Sequence, residues 1–264
     1  TNSTIRNGAS DGIYMMGGNA IISHNTFIAN GATGAEAVNM KAGVKADIAG
    51  NLMFSPNTNG MKLSSSGQSE TRAQLLANAY NNTIINAGWR RDGEKGGSIF
   101  VEKNALVTVV NNLIVNCKFR AMTPKYTDPN KPDAGYDDKS VIDYNYYASG
   151  SQTTPIVGDA TVGSPAEGYA ADHKYYSPDV DTHSIISSPE KMYDPGFVSY
   201  DINKPELTSF TFNSSWDFHL KAGSDALKGA DGKLDPYFSS GLTIGGVKYV
   251  SPAIEAQFGA FGTK

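Results

Sequence analysis

The densest grouping of reactive side chains in this 264-residue chain is GWRRDGEKGGSIFVEK, residues 88–103. Arg90 and Arg91 are planar donor forks suited to a uronate carboxylate, and Trp89 offers a ring on which a sugar can stack. The competing reading is a charged surface loop in which arginine pairs with Asp92 or Glu94, pairs worth little when exposed. Glu94 and Lys95 fit that second reading better. His173 and His183 lie ten apart near Asp172, Asp179 and Asp181, a spacing more typical of surface polarity than of a metal cluster. His24 reads as a turn residue and His219 as part of a closing strand. Asp128, Asp133, Asp137, Asp138 and Asp143 lack the spacing of a defined calcium loop. No Gly-rich phosphate loop and no G-x-S-x-G nucleophile occur. Cys117, the single cysteine, follows an apolar Leu-Ile-Val-Asn run, which predicts a buried, inert thiol and excludes internal disulfides.

Composition narrows the class further. Charged residues are 18% of the chain and the formal net charge is −4, so the basic footprint of a nucleic-acid binder is missing. No apolar run approaches the ~18–20 residues of a membrane span. The chain opens TNSTIRNG, without an initiator Met or an apolar signal core, and reads as if cut from something longer. Of 21 Asn, 17 lie in residues 1–116, whereas ten of 14 Tyr and nine of 12 Pro lie in 124–205. Residues 1–117 carry nine basic and seven acidic groups, so the net acidity belongs to the remainder.

The asparagines mark a repeat. HNTFIAN at Asn25, GNLMFS at Asn51, NNTIIN at Asn82, NNLIVN at Asn112 and YNYYAS at Asn145 share one form, with NSTIRN at Asn2 as an earlier copy. Two short alternating runs precede each full copy, such as SIFVEK then LVTVVNN. Alternation means strands, and three short strands per fixed period is the pattern of a parallel β-helix, an all-β solenoid. Each Asn is expected at a tight turn, in left-handed geometry, bonding its amide to the Asn one coil away, while the apolar residues after it fill the interior. Gly12, Gly60 and Gly97 are expected at the opposite corner. An antiparallel sandwich also has short strands, but it predicts turn signals every ~8–12 residues and no recurring Asn.

The expected organisation is β-helix rungs over 1–117, a Tyr/Pro-rich insertion over 118–205 with a further rung near 141–147, and closing strands over 206–264. Tyr144, Tyr146, Tyr147, Tyr169, Tyr175, Tyr176 and Tyr193 suggest that aromatic packing orders the insertion. Aligning inward residues Ile13, Val38, Met61 and Ile99 yields two outward columns. One is Tyr14, Asn39, Lys62 and Phe100; the other is Met16, Lys41, Ser64 and Glu102. Such outward faces form the grooves in which solenoids bind polymers. Tyr14 and Asn39 join Trp89, Arg90 and Arg91 as candidate substrate contacts.

The closing strings DPGF, DFHLKAGSDAL and GAFG resemble the final segment of secreted bacterial right-handed parallel β-helix proteins of the pectate-lyase-like superfamily. That resemblance implies a right-handed coil, a D-F-x-L strand around Phe218 and Leu220 that caps the helix, and a secreted, periplasmic or cell-surface monomer. NTNGMKLSSSG resembles the N-G-F-K-L-G-G segment of family 9 polysaccharide lyases, which implies that Lys62 is a Brønsted base. The reaction implied is β-elimination on an acidic glycan such as pectate, assisted by calcium. In that family several aspartates hold the metal. Here Glu36 and Asp11 are the candidate ligands, and SDGI resembles the acidic D-D-G corner, two rungs before Lys62 rather than one. Glu36, Lys41 and then Lys62 are also similar to the Glu…Lys, Arg pattern of family 6 lyases, which act on alginate or dermatan. Two alternatives stand beside this reading. One is a non-catalytic glycan-binding or scaffold β-helix. The other is a β-helix glycoside hydrolase, which needs converging carboxylates where the columns offer little beyond Glu102.

Overall fold

A computed structural model of the chain describes residues 1–32, 34–91, 96–118, 135–148, 180–187, 191–209 and 211–264. The first coil contains β1 (Thr4–Arg6), β2 (Ile13–Met15) and β3 (Gly18–Ser23). The second holds β4 (Thr26–Ile28), β5 (Val38–Met40) and β6 (Val44–Ala49), and the third β7 (Leu52–Phe54), β8 (Asn59–Ser64) and β9 (Leu76–Tyr80). The fourth holds β10 (Thr83–Ile85), β11 (Gly97–Glu102) and β12 (Leu106–Val110). β13 (Leu113–Val115), β14 (Val141–Ile142), β15 (Tyr146–Ala148) and β16 (Ile185–Ile186) continue the stack. Each strand pairs in parallel with its counterpart one coil away, giving three sheets. Sheet A is β1-β4-β7-β10-β13-β15-β16, sheet B is β2-β5-β8-β11, and sheet C is β3-β6-β9-β12-β14. This is the parallel β-helix that the repeat predicts. No helix among the described residues is long and apolar enough to cross a membrane.

The asparagine ladder holds one corner. Asn25 Nδ2 donates to Asn51 Oδ1 at 3.0 Å, Asn51 to Asn82 at 2.9 Å, Asn82 to Asn112 at 3.0 Å and Asn112 to Asn145 at 3.0 Å. Each acceptor oxygen also takes the backbone N–H of the preceding ladder residue, and the amides of Asn51, Asn82 and Asn112 donate further to backbone carbonyls, so these buried amides are satisfied by the next ladder residue and the coil backbone together. Two details differ from the expectation. Thr4 pairs with Thr26, so Ser3 and not Asn2 occupies the ladder position of the first coil. Left-handed backbone belongs to the residue before each ladder Asn: Asn2, His24, Gly50, Asn81, Asn111 and Tyr144. The ladder Asn supplies hydrogen bonds while its neighbour supplies the turn.

Only the middle residue of each sheet A triplet enters the interior. Met53, Ile84, Ile114 and Tyr147 do so, beside Val38, Met40, Met61, Leu63, Ile99 and Val101 from sheet B. Leu52, Phe54, Ile85, Leu113, Val115 and Tyr146 point outward into a second apolar core. Burial of both faces explains why these strands read as continuous apolar runs. The second core is roofed by β17 (Phe197–Ser199) and β18 (Asp217–Leu220), an antiparallel pair from the closing segment. Phe218 and Leu220 face inward as predicted. The closing strand does not stack on the end of the coil as a cap. It lies along the outside of sheet A, reaching Phe54 in the third coil through Tyr200, Phe212 and Trp216.

The chain then passes a 3-10 turn (Asp225–Leu227) and runs back over sheet C, with a small hairpin of β19 (Leu242–Ile244) and β20 (Val247–Tyr249). Asp47, on the outer side of β6, anchors it. Its carboxylate, fully buried, accepts from Tyr237 N, Phe238 N, Ser251 Oγ and Asn78 Nδ2 at 2.6–3.2 Å. Tyr80 Oη donates to Pro252 O, and Asn81 to Glu255 O and Gln257 O. Sheets A and C are therefore covered on the outside, and among the described residues sheet B is not. The expected positions Asp92, Glu94, Lys95, Asp128, Asp133, Tyr169, Asp172, His173, Tyr175, Tyr176 and Asp179 lie outside the described residues.

Candidate functional site

The outer face of sheet B carries the columns read from the sequence. Tyr14 pairs with Asn39, Asn39 with Lys62 and Lys62 with Phe100, while Ser64 pairs with Glu102. Tyr14 and Met16 are each 49% exposed, an exposed apolar rim beside charged groups. A third column, which the alternation of apolar residues did not expose, runs along the corner just before these strands and comprises Asp11, Glu36 and Asn59. Gly12 and Gly60 make room there. A Cβ on Gly12 would lie 2.6 Å from Ala37 O, and one on Gly60 2.7 Å from Ile84 Cγ2. Gly97 pairs with Asn59 and stands outside this glycine column.

Asp11, Glu36, Asn39 and Asn59 converge into one polar pocket. Asp11 Oδ1 accepts from Glu36 N at 2.8 Å, and Asp11 Oδ2 from Asn39 Nδ2 at 3.1 Å. Glu36 accepts from Asn39 Nδ2 on Oε2 and from Asn59 Nδ2 on Oε1, each at 3.2 Å. Burial pushes the Glu36 carboxyl up, and the hydrogen-bonded Asp11 carboxyl and its charge push it further, to about 7. Asn59 and the Lys62 charge pull the other way. The oxygens Asn39 Oδ1 and Asn59 Oδ1 are buried with no hydrogen-bond partner. Two carboxylates and two unsatisfied amide oxygens are the donor types that a hard cation such as calcium takes, once Asn39 and Asn59 turn Oδ1 in place of Nδ2 toward the carboxylates. The set therefore fits such an ion, although no group of three or more His, Cys, Asp and Glu gathers among the described residues.

The basic side lies on the next positions. Lys62 Nζ is 3.2 Å from Glu102 Oε1 and 5.2 Å above the Phe100 ring centre. Glu102 Oε1 also accepts from Ser64 Oγ at 3.0 Å, so the Lys62 ammonium is held by an oriented carboxylate. Lys41 follows β5 and lies two positions out of register with Lys62, its Nζ 5.8 Å from the Tyr14 ring centre. Burial lowers the Lys41 pKa, and the Lys62 charge lowers it further. The long stems bring the two amines into electrostatic contact despite the offset. Sequence reasoning placed Glu102 in an outward column but gave it no role; its alignment with Ser64, one coil from Lys62, was the available signal.

Arg90, expected at a substrate carboxylate, serves the fold instead. Its guanidinium donates to Gly31 O at 2.8 Å, Asn30 O at 3.0 Å and Ser55 O at 2.7 Å, clamping the corner carbonyls of two earlier coils. Gly31 and Ser55 are left-handed corner residues, and the carbonyls exposed at this turn need a donor. Trp89 is half-buried and its Nε1 donates to Asn116 O, so its indole is anchored in the wall. Arg91 crosses back over Gly34, and its carbonyl accepts from Lys118 Nζ at 2.7 Å. Cys117 is buried, and burial pushes its thiol up to about 12. His183 Nδ1 lies 2.6 Å from Asp143 Oδ2 and stacks on Tyr144, and His219 lies against Asp217, so neither joins the sheet B face.

Comparison with known families agrees with this architecture. Residues 1–131, from the first coil to beyond β13, match the model described as "Right handed beta helix region". No curated protein and no solved structure matches the chain at a significant level. The match and the coil geometry above together fit a right-handed parallel β-helix.

Proposed function

We propose that the outer face of sheet B binds an acidic, uronate-containing polysaccharide and cleaves it by β-elimination. One observation carries the reading. On the one sheet face left uncovered among the described residues, a lysine with lowered proton affinity adjoins a second lysine paired with Glu102 and a buried acidic pocket. Asp11, Glu36, Asn39 and Asn59 would hold calcium. When bound, that ion would neutralise the substrate carboxylate and so acidify the adjacent C5 proton. Lys41 is the better base of the two lysines, because burial favours its free amine. It takes the C5 proton; the electron pair forms the C4–C5 double bond as the C4–O bond breaks. Lys62, oriented by Glu102 at 3.2 Å, is the donor available to the departing oxygen. The resemblance makes Lys62 the base, and the local electrostatics transfer that role to Lys41.

The hydrolase reading is disfavoured by the carboxylate geometry. Asp11 and Glu36 are within hydrogen-bond contact, closer than the roughly 5–9.5 Å that glycosidases need between their two carboxyl groups. Non-catalytic binding remains the second reading, favoured by the Lys62–Glu102 ion pair that already occupies one amine. The protein is to be incubated with polygalacturonate, alginate and glycosaminoglycans, with calcium, between about pH 7 and 10, the range over which lysine deprotonates. Ultraviolet-absorbing unsaturated ends that vanish in Lys41→Ala support elimination. Saturable binding without such ends on any of them makes it a binder, and full activity in Lys41→Ala and Lys62→Ala removes the mechanism.

A further inference from the structure

A cavity of about 480 Å3 opens on the closing segment, away from sheet B, where β17 and β18 meet. The register of this pair shifts between Phe197 and Ser199, and the bulge leaves Val198 and Ser199 both exposed. Trp216, Tyr200, Asp194, Asp201, Ser215 and Lys221 line the opening. Trp216 is half-buried and fixed by its neighbours: ring centres lie 5.2 Å away for Phe54, 5.0 Å for Tyr200 and 5.7 Å for Phe212. It is a rigid platform with no rotamer left to order on binding. Asp194 uses one oxygen for Gly196 N, Asp201 accepts from Asn203 N and pairs with the exposed Lys204 at 3.7 Å, and Lys221 Nζ meets no carboxylate within ion-pair distance among the described residues. Nothing in the sheet B reading uses any of these groups.

We propose that this cavity is a second carbohydrate site, specific for a neutral hexopyranose unit. The volume falls within the about 300–1,000 Å3 of small-ligand sites. A pyranose has an apolar C–H face for an immobile aromatic ring and a rim of hydroxyls that donate to carboxylates and accept from an ammonium. Among the described residues Asp201 pairs with Lys204, which leaves Asp194 opposite Lys221, so the lining offers a uronate carboxylate no net positive charge. The site therefore selects against the acidic unit proposed for sheet B. It does not rest on that reading, and the two fail separately.

The test titrates the whole chain with the methyl glycosides of glucose, galactose, mannose and N-acetylglucosamine, and with galacturonate. Tryptophan fluorescence and saturation-transfer NMR supply the readouts. The expected result is saturable binding of at least one neutral glycoside, weaker binding of galacturonate, and a loss of roughly tenfold or more in Asp201→Ala/Lys221→Ala, from two charged hydrogen-bonding groups. Both positions are exposed, so this variant keeps its fold even where Trp216→Phe loosens the aromatic core. Lys41→Ala/Lys62→Ala should bind unchanged. Absence of saturable binding by all four neutral glycosides overturns the proposal. So does undiminished binding in Asp201→Ala/Lys221→Ala, preference for galacturonate, or loss of binding in the sheet B variant.

Discussion

Replacing Glu36 by Gln should make stability at alkaline pH rise, although the residue is buried among polar partners. The Glu36 carboxyl titrates near 7 in the fold against an ordinary value of 4.5. Between those values the folded chain holds a proton that the unfolded chain has released, so stability falls as pH rises through this window. The shift corresponds to about 3 kcal/mol, an upper figure because the Glu36 carboxyl touches the Asp11 carboxylate. Gln is neutral throughout and can donate to Asp11 as the protonated acid does, at the cost of one imperfect contact with Asn39 or Asn59. At pH 5 the variant should match the parent within about 1 kcal/mol, one hydrogen bond's net worth. At pH 8, with calcium chelated, it should be more stable by about 2 kcal/mol. Urea unfolding followed by circular dichroism at both values is the assay, and the difference between variant and parent cancels groups that titrate alike in both. An equal effect at pH 5 and pH 8 would refute the claim that burial and the neighbouring Asp11 raise the Glu36 carboxyl in this pocket. Calcium at pH 8 should stabilise the parent and not the variant.

Three further outcomes concern the scaffold. Asp47→Ala strands the donors of Tyr237, Phe238, Ser251 and Asn78 and should cost about 3 kcal/mol, read as a lower urea midpoint and early proteolysis within 230–257. Asn82→Ala removes amide bonds to Ile48 O, Tyr80 O and Asn112 Oδ1 and orphans Asn51, so a loss of about 3 kcal/mol is expected by the same assay. Gly60→Ala drives a methyl to within 2.7 Å of Ile84 Cγ2 and should lose about 1–3 kcal/mol. A neutral result at Gly60 would mean that the corner beside Asn59 is looser than the coil geometry requires.

The coil was legible because its grammar is periodic. An Asn that recurs before apolar triplets bonds its buried amide to its counterpart in the next coil, and strand alternation set the register that places Lys62 between Asn39 and Phe100. Three things were hidden. The Asp11–Glu36–Asn59 column lies at a corner, where strand alternation no longer says which way a side chain points. Arg90 looked like a ligand because its demand comes from carbonyls roughly 35–60 positions away, exposed only once the corners stack. The closing strand's apolar residues announced burial but not a partner, and sheet A's outer face proved to be that partner rather than the end of the coil. The apolar triplets carried that information, since strands buried on one face only would alternate.

Mass spectrometry of a calcium-supplemented polygalacturonate, alginate or glycosaminoglycan digest tests the central claim most directly. Elimination leaves a new chain end one water lighter than hydrolysis would. The account predicts that lighter product from the parent protein on at least one of these polymers and none from Lys41→Ala. Hydrated ends only, or the lighter product undiminished in Lys41→Ala, would contradict it.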